Sequence, residues 1–399
     1  MKLRLLVIAT AMSSAAFAAN FADDVAFLKK HVAVVVLSDS AQQAQVALVP
    51  AWQGRIMTST AGGGAAASYG WVNRELIVSG KFVPHINVFG GEDRFWLGPE
   101  GGQFSIFFAK GSKFDLEHWF TPPAIDTEPF EVVSQSADRA TFRRAITLTN
   151  YSGTQLQLEV TREIRLLSPA KALAAQGLTL PASAKAVAFE SINTIKNTGT
   201  APWRKETGLL SIWILGMFNA SPAATVVVPY KAGPESTLGP VVNDTYFGKV
   251  PAERLVVKDG VVYFRADAAY RSKIGFSPWR ARPQLGSYDA SGGTLTLVSF
   301  TFPTGATEYV NSMWEIQKAP FAGDVVNSYN DGAPKPGAAQ MGKFYELESS
   351  SPALALAPGA SATHTHRTIH VQAAESALDP VARAGLGVSL AQIKRAFAR

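Results

Sequence analysis

Two stretches of this sequence carry residue types that can grip a polyhydroxylated molecule or move its protons. The first is FGGEDRFWLGPEGG (89–102). Two glycine pairs bracket Glu92, Asp93, Arg94 and Glu100, crowded against Phe95 and Trp96. Sugars ask for this mixture, because their CH faces stack on aromatic rings while their hydroxyls need charged or amide partners. Asn87, just upstream, adds an amide. The same residues also suit an ion pair, Arg94 with Glu92 or Asp93, that ties a loop to the core. The second stretch is KFYELESSSPALALAPGASATHTHRTIH (343–370). In a strand, Glu346 and Glu348 share one face about 7 Å apart. His364, His366 and His370 share a face too, but the first and last stand roughly 20 Å apart along a strand. A metal triad from that strand alone therefore fails, and no metal ligand is assigned. A carboxylate facing an imidazole across a cleft is a minimal acid–base pair. Satisfied polar groups on a sheet face are the plainer account of the histidines.

Two further segments are polar or aromatic without a strand period. VVNSYNDGAPKPG (325–337) crowds Asn327, Tyr329, Asn330 and Asp331. Asn330-Asp331-Gly332 is a turn signature, and the crowding also suits sugar hydroxyls or a calcium ion. FSPWRARPQLGSYD (276–289) reads as a loop that places Trp279 and two arginines along a cleft. Other chemistries lack their parts. There is no H-E-x-x-H, no G-x-S-x-G and no phosphate-binding loop, since AGGGAAASYG (61–70) has no lysine. The chain has no cysteine, which excludes disulfides, thiolate metal sites and a cysteine nucleophile. No cofactor is expected.

The elements that must position these residues are almost all strands. Residues 21–31 carry Phe21, Val25 and Leu28 at helical spacing, with acids early and lysines late. After them QVALVPAWQGRIMTST (45–60) alternates, and 139–168 forms a long hairpin through the turn NYSG. Strands follow at 186–199, TVVVP, RLVVKDGVVYFRA with Asp259-Gly260 as its turn, GTLTLVSFTFPTG, KFYELESS and ATHTHRTIHVQ. Only about 378–398 reads as helix again. No linker and no short-period repeat divides the chain. Many strands joined by turns define an all-β fold, here a large antiparallel two-sheet sandwich with short N- and C-terminal helices.

MKLRLLVIATAMSSAAFA (1–18) has a charged start, an apolar run and an Ala-Phe-Ala end, the pattern of a secretory signal peptide. The expected organisation is that peptide, one β domain over 19–377 and a helical tail over 378–399, in a periplasmic or secreted protein. No segment is long and apolar enough to span a bilayer, and GLLSIWILGMF (208–218) reads as a buried strand. Losing Lys2 and Arg4 lowers the formal net charge from +6 to +4. The basic residues are scattered, so nucleic acid is not an expected partner. Charged residues are 17% and hydrophobic ones 47% of the chain, which predicts a well-filled core.

FGGEDRFWLGPEGG resembles the Gly-Gly loop of the aldose 1-epimerases (galactose mutarotases) and their hexose-phosphate relatives. ELESSSPALALAPGASATHTH resembles their closing segment, in which a glutamate precedes a Pro-containing loop, a Leu-x-Pro-Gly turn and a last strand. With QGRIMTST, SYGWVN, GLLSIWILGMF, YNDG and HTHRTIH, residues 33–372 are similar to an uncharacterised family of exported bacterial proteins with a mutarotase-like supersandwich. The resemblance implies that fold, with a carbohydrate cleft on the concave face of one sheet. It implies a catalytic base at Glu348, or at Glu346 if the register differs by two. The mid-chain histidine that acts as acid has no counterpart in SINTIKNTGTAPW, which leaves His85 or His118 for that role. Expected substrate contacts are Asn87, Glu92, Asp93, Arg94, Trp96, Glu100, Trp279, Tyr329, Asn330, Asp331, His364, His366 and Arg367. Sugar 1-epimerisation is the first expectation and non-catalytic glycan binding in the same cleft the second. The third is a polysaccharide lyase or hydrolase using Tyr329, His364, His366 and Arg367.

Overall fold

The computed structural model describes residues 20–398, so the expected signal peptide lies outside the described residues. Three antiparallel sheets hold the strands. The largest has ten, in the order 255–258, 261–265, 224–229, 284–289, 294–300, 361–372, 185–197, 155–167, 139–149 and 131–135. The second has five: Ser272–Phe276, Val326–Asn330, Phe344–Ser350, Ser211–Asn219 and Arg94–Gly98. These two sheets form the sandwich. A third sheet of three strands, Val35–Ser38, Gln45–Val49 and Arg55–Thr60, adds to it. The single alternating run read over 45–60 is broken by a 3-10 turn at Pro50–Trp52, where proline removes a ladder donor.

Period two decides which side chains meet. Leu156, Leu158, Val160 and Ile164 of the long hairpin turn inward and are buried, while Gln155 and Gln157 stay exposed. They meet Phe95, Leu97, Ile212 and Ile214 from the inner face of the five-stranded sheet in one core. The tight hairpin at Asp259 and Gly260 has both residues at positive φ, 56° and 77°, as the right-handed twist of its strands demands. The segment 276–289 is not a free loop. Gln284–Asp289 is an inner strand of the large sheet, and Arg280 is buried, donating to the carbonyls of Lys231, Gly233 and Gly239.

Helices seal the outside. Phe21–Lys29 packs Leu28 against Val49, Trp52, Met57 and Phe89. Glu375–Leu386 and Leu390–Arg395 lay Leu378, Val381, Leu386 and Ile393 on the back of the large sheet, over Leu295, Leu297, Ile369 and Val371. No helix among the described residues is long and apolar enough to cross a membrane.

Candidate functional site

The outer face of the five-stranded sheet holds the densest set of charges. Register places it there. Glu348 pairs with Leu215 and Asn327, and Glu346 with Met217 and Tyr329. Lys273 pairs with Tyr329, Arg94 with Leu215, and Trp96 with Trp213. Lys273, Glu346, Glu348, Trp213, Arg94 and Trp96 thus come from four strands to one face, and all are buried.

Glu348 Oε2 accepts from Lys273 Nζ at 3.0 Å and from Trp213 Nε1 at 2.9 Å. Lys273 Nζ also stands over the Trp213 and Tyr246 rings, 4.7 and 5.6 Å from their centroids. Burial alone would lower the Lys273 ammonium, but the carboxyl groups of Glu348, Glu100 and Glu346 outweigh it and raise the group. Arg94 donates to Glu346 Oε1 at 3.2 Å and lies over Trp96, 4.1 Å from the ring. Burial pushes Glu346 well above the usual carboxylate range, and the Arg94 charge offsets this only in part. Beside them Tyr246 donates to Asp324 at 2.7 Å, and burial raises both groups.

Two segments close this face. Glu100 N donates to Ser312 Oγ, and the Gln103 side-chain amide bonds both the N–H and the carbonyl of the Gln317 backbone. The Trp119 and Trp314 rings stack at 5.8 Å, and Trp96 leans on Phe107 at 5.0 Å. The space left beside Lys273, Trp213, Tyr246 and Asn327 is about 10 Å³, roughly one water. Within this layer Glu348 Oε1, Arg94 Nε and Nη1, Trp96 Nε1 and Trp119 Nε1 are buried without a hydrogen-bond partner.

The three adjacent charges of the Gly-Gly loop go to three different places. Arg94 joins the outer face. Asp93 turns inward and pairs with Arg162 at 2.5 Å, with Ser191 Oγ donating to its other oxygen at 2.7 Å. Glu92 meets His370 Nε2 at 2.8 Å. The ion pair expected within the loop is not made. Gly90 and Gly91 permit this divergence at φ 96° and 111°, where a Cβ on Gly90 would lie 2.0 Å from the Trp71 carbonyl oxygen.

The remaining expected site residues scatter. His364 Nε2 and His366 Nδ1 both bond Ser349 Oγ, at 2.8 and 2.9 Å, between the sheets and away from Glu348. His85 bonds the Trp119 carbonyl at 2.6 Å and stacks on Phe120, reaching only the backbone of a closing segment. His118 pairs with Asp115 at 2.5 Å, half-exposed. Among the described residues no histidine bonds Glu346 or Glu348. Asn87 holds Asp126 at 2.8 Å, and Arg367 pairs with Glu190 on the outside of the large sheet at 2.7 Å. Tyr329, paired with both Glu346 and Lys273, does share the outer face, where it donates to Asp331 at 2.7 Å, while Asn330 on the opposite face caps local backbone at Tyr270 and Ala268. Trp279 is 52% exposed and joins no site. No group of three or more His, Asp or Glu residues among the described residues is placed to hold a metal ion. Sequence reasoning left out Lys273, Trp213 as a site residue, Tyr246 and Asp324.

Architecture and comparison agree on the class of protein: the fold is a galactose mutarotase-like supersandwich. It is similar to the Slr1438 protein of Synechocystis sp. PCC 6803, with a TM-score of 0.51 and 13% identity over 86% of this chain and 96% of that one. It is also similar to a candidate aldose 1-epimerase of Escherichia coli K12, with a TM-score of 0.50 and 14% identity over 85% of this chain and 99% of that one. At such identities the likeness shows the fold alone. Residues 19–397 match the family of unknown function DUF6786, and the chain belongs to that family. No curated protein matches the sequence.

Proposed function

We propose that the outer face of the five-stranded sheet is a sugar site, and that Glu348 and Lys273 carry aldose 1-epimerase-like chemistry there. The observation behind this reading is the set of buried unpaired polar atoms gathered on that face: Glu348 Oε1, Arg94 Nε and Nη1, and the two indole N–H groups. A buried polar atom left unpaired costs about 1–3 kcal/mol. Several in one layer, beside flat aromatic rings, suit a ligand rich in hydroxyls. The fold, shared with a candidate aldose 1-epimerase, points the same way.

In this reading Glu348 Oε1 takes the proton of the anomeric hydroxyl. Trp213 and Lys273 hold the other oxygen and fix the carboxylate plane. Lys273, held as an ammonium by its carboxylate neighbours, donates to the ring oxygen as the ring opens. Entry requires the segments around Ser312 and Trp119 to part. The rate of interconversion of the α and β anomers of D-glucose and D-galactose, followed by NMR, tests it. Glu348→Gln and Lys273→Met should each lose at least about a hundredfold of the added rate. Rates equal to wild type in both variants would end the catalytic reading. Export to the periplasm or medium belongs to the same proposal.

A second reading, non-catalytic glycan binding on the same face, draws support from the lack of a histidine bonded to Glu346 or Glu348 among the described residues. Sugar binding without faster exchange would select it.

A further inference from the structure

Pairing Glu92 with His370 places a hydrogen-bonded chain under a different and far larger cleft, at the end of the sandwich nearest the three-stranded sheet. Thr296 Oγ1 bonds His370 Nδ1 at 2.9 Å, and His370 Nε2 bonds Glu92 Oε2 at 2.8 Å. Ser59 Oγ donates to the same carboxylate oxygen at 2.9 Å. Both ring nitrogens are engaged, and Tyr69 stacks on the imidazole at 4.4 Å and 20°. The floor is therefore fixed. Glu92 Oε1 lies fully buried beneath it with no partner. Thr296 and His370 line a cleft of about 490 Å³, whose walls include Tyr69, Trp71, Asn219 and Gln372. That volume lies in the range of small-molecule sites.

We infer that this cleft is a second binding site, for a neutral polyhydroxylated ligand of monosaccharide to disaccharide size. The lining chooses the class. Tyr69 and Trp71 supply flat faces, and Trp71 is only half-buried, braced by Phe344 at 4.8 Å. Ser68, Thr294, Thr296 and Gln372 supply neutral donors and acceptors. Anions are disfavoured. Asp24 and Asp289 line the cleft with Glu92 beneath, and Arg74, the cation of the lining, is already paired with Asp24 at 2.5 Å. A purely apolar ligand would strand the polar floor. The inference does not depend on the outer-face site, which lies on the other side of the five-stranded sheet.

Calorimetry and saturation-transfer NMR on the purified protein with D-glucose, D-galactose, N-acetylglucosamine and cellobiose test it, with choline as a cationic control. At least one sugar should bind. Its affinity should fall tenfold or more in both Trp71→Ala and Gln372→Ala, and should stay within twofold in Trp279→Ala, which removes an exposed aromatic outside the cleft. Gln372 is partly exposed, so its variant reports on the cleft even if Trp71→Ala folds poorly. No sugar binding, choline binding alone, or binding unmoved by either cleft variant would overturn the inference. Binding lost in Glu348→Gln but kept in both cleft variants would also overturn it, and would support the outer-face site instead.

Discussion

At the scale of single residues, the Gly-Gly loop shows how neighbours in sequence become strangers in space. Asp93 and Arg162 form an ion pair with neither side chain exposed. Asn193 accepts from Arg162 at 2.7 Å, and Ser191 donates to Asp93, so both charges are further satisfied. Such a pair adds little net stability over an apolar replacement, but breaking it leaves a naked buried charge. Asp93→Ala should therefore cost about 3–5 kcal/mol in urea unfolding. Asp93→Leu combined with Arg162→Met should recover most of that loss. A single-variant cost under about 1 kcal/mol would mean that water reaches Arg162. Lys273 was illegible for a reason of the same kind. A lone lysine in the five-residue strand SKIGF reads as a solvated side chain, because lysines are seldom buried unpaired. Its partner Glu348 lies 75 positions away, and nothing local announces it.

At the scale of elements, alternation carried most of the fold. The buried strand within 208–218 follows from a short continuous apolar run, and the hairpin 139–168 and the turn at Asp259-Gly260 from period two and turn chemistry. The same rule placed Glu346 and Glu348 together, and His364 with His366 and His370. It could not say which sheet face either set would occupy, since that depends on pairing between distant strands. Nor could it see Gln284–Asp289, whose residues QLGSYD hold too few β-branched residues to read as a strand. The glycine at 90 is an element-level device, because it lets the chain pass the Trp71 carbonyl before entering Arg94–Gly98. Gly90→Ala would set a Cβ 2.0 Å from that oxygen at a φ of 96°. A loss of about 2 kcal/mol or more is expected in the denaturation midpoint. Gly80, with open space at its Cβ position, should cost less on the same change, and equal costs would place the strain elsewhere.

At the scale of the whole molecule, buried ionisable groups on both faces of the five-stranded sheet and beyond it respond to pH in opposite directions. Burial, helped by His366, pushes His364 down to about 3, and burial pushes His366 down to about 4 despite the Asp93 charge nearby. An unfolded chain protonates these imidazoles as pH falls through about 6.5. Between that value and 4 the unfolded state binds more protons, so stability falls as pH falls. Buried Glu346, Asp324 and Asp126 are raised instead, so the fold keeps their protons longer and loses stability as pH rises through their range. The two sets oppose each other in mildly acidic solution, and removing one exposes the other. Each neutral buried imidazole contributes a slope of roughly 1.4 kcal/mol per pH unit below 6.5. In His364→Gln with His366→Gln, the drop in unfolding free energy between pH 7 and pH 5 should shrink markedly or reverse sign. Urea titrations at the two pH values measure it in both proteins. Identical pH dependence would show that the imidazoles take up their protons inside the fold, which would require the Ser349 contacts to open to water.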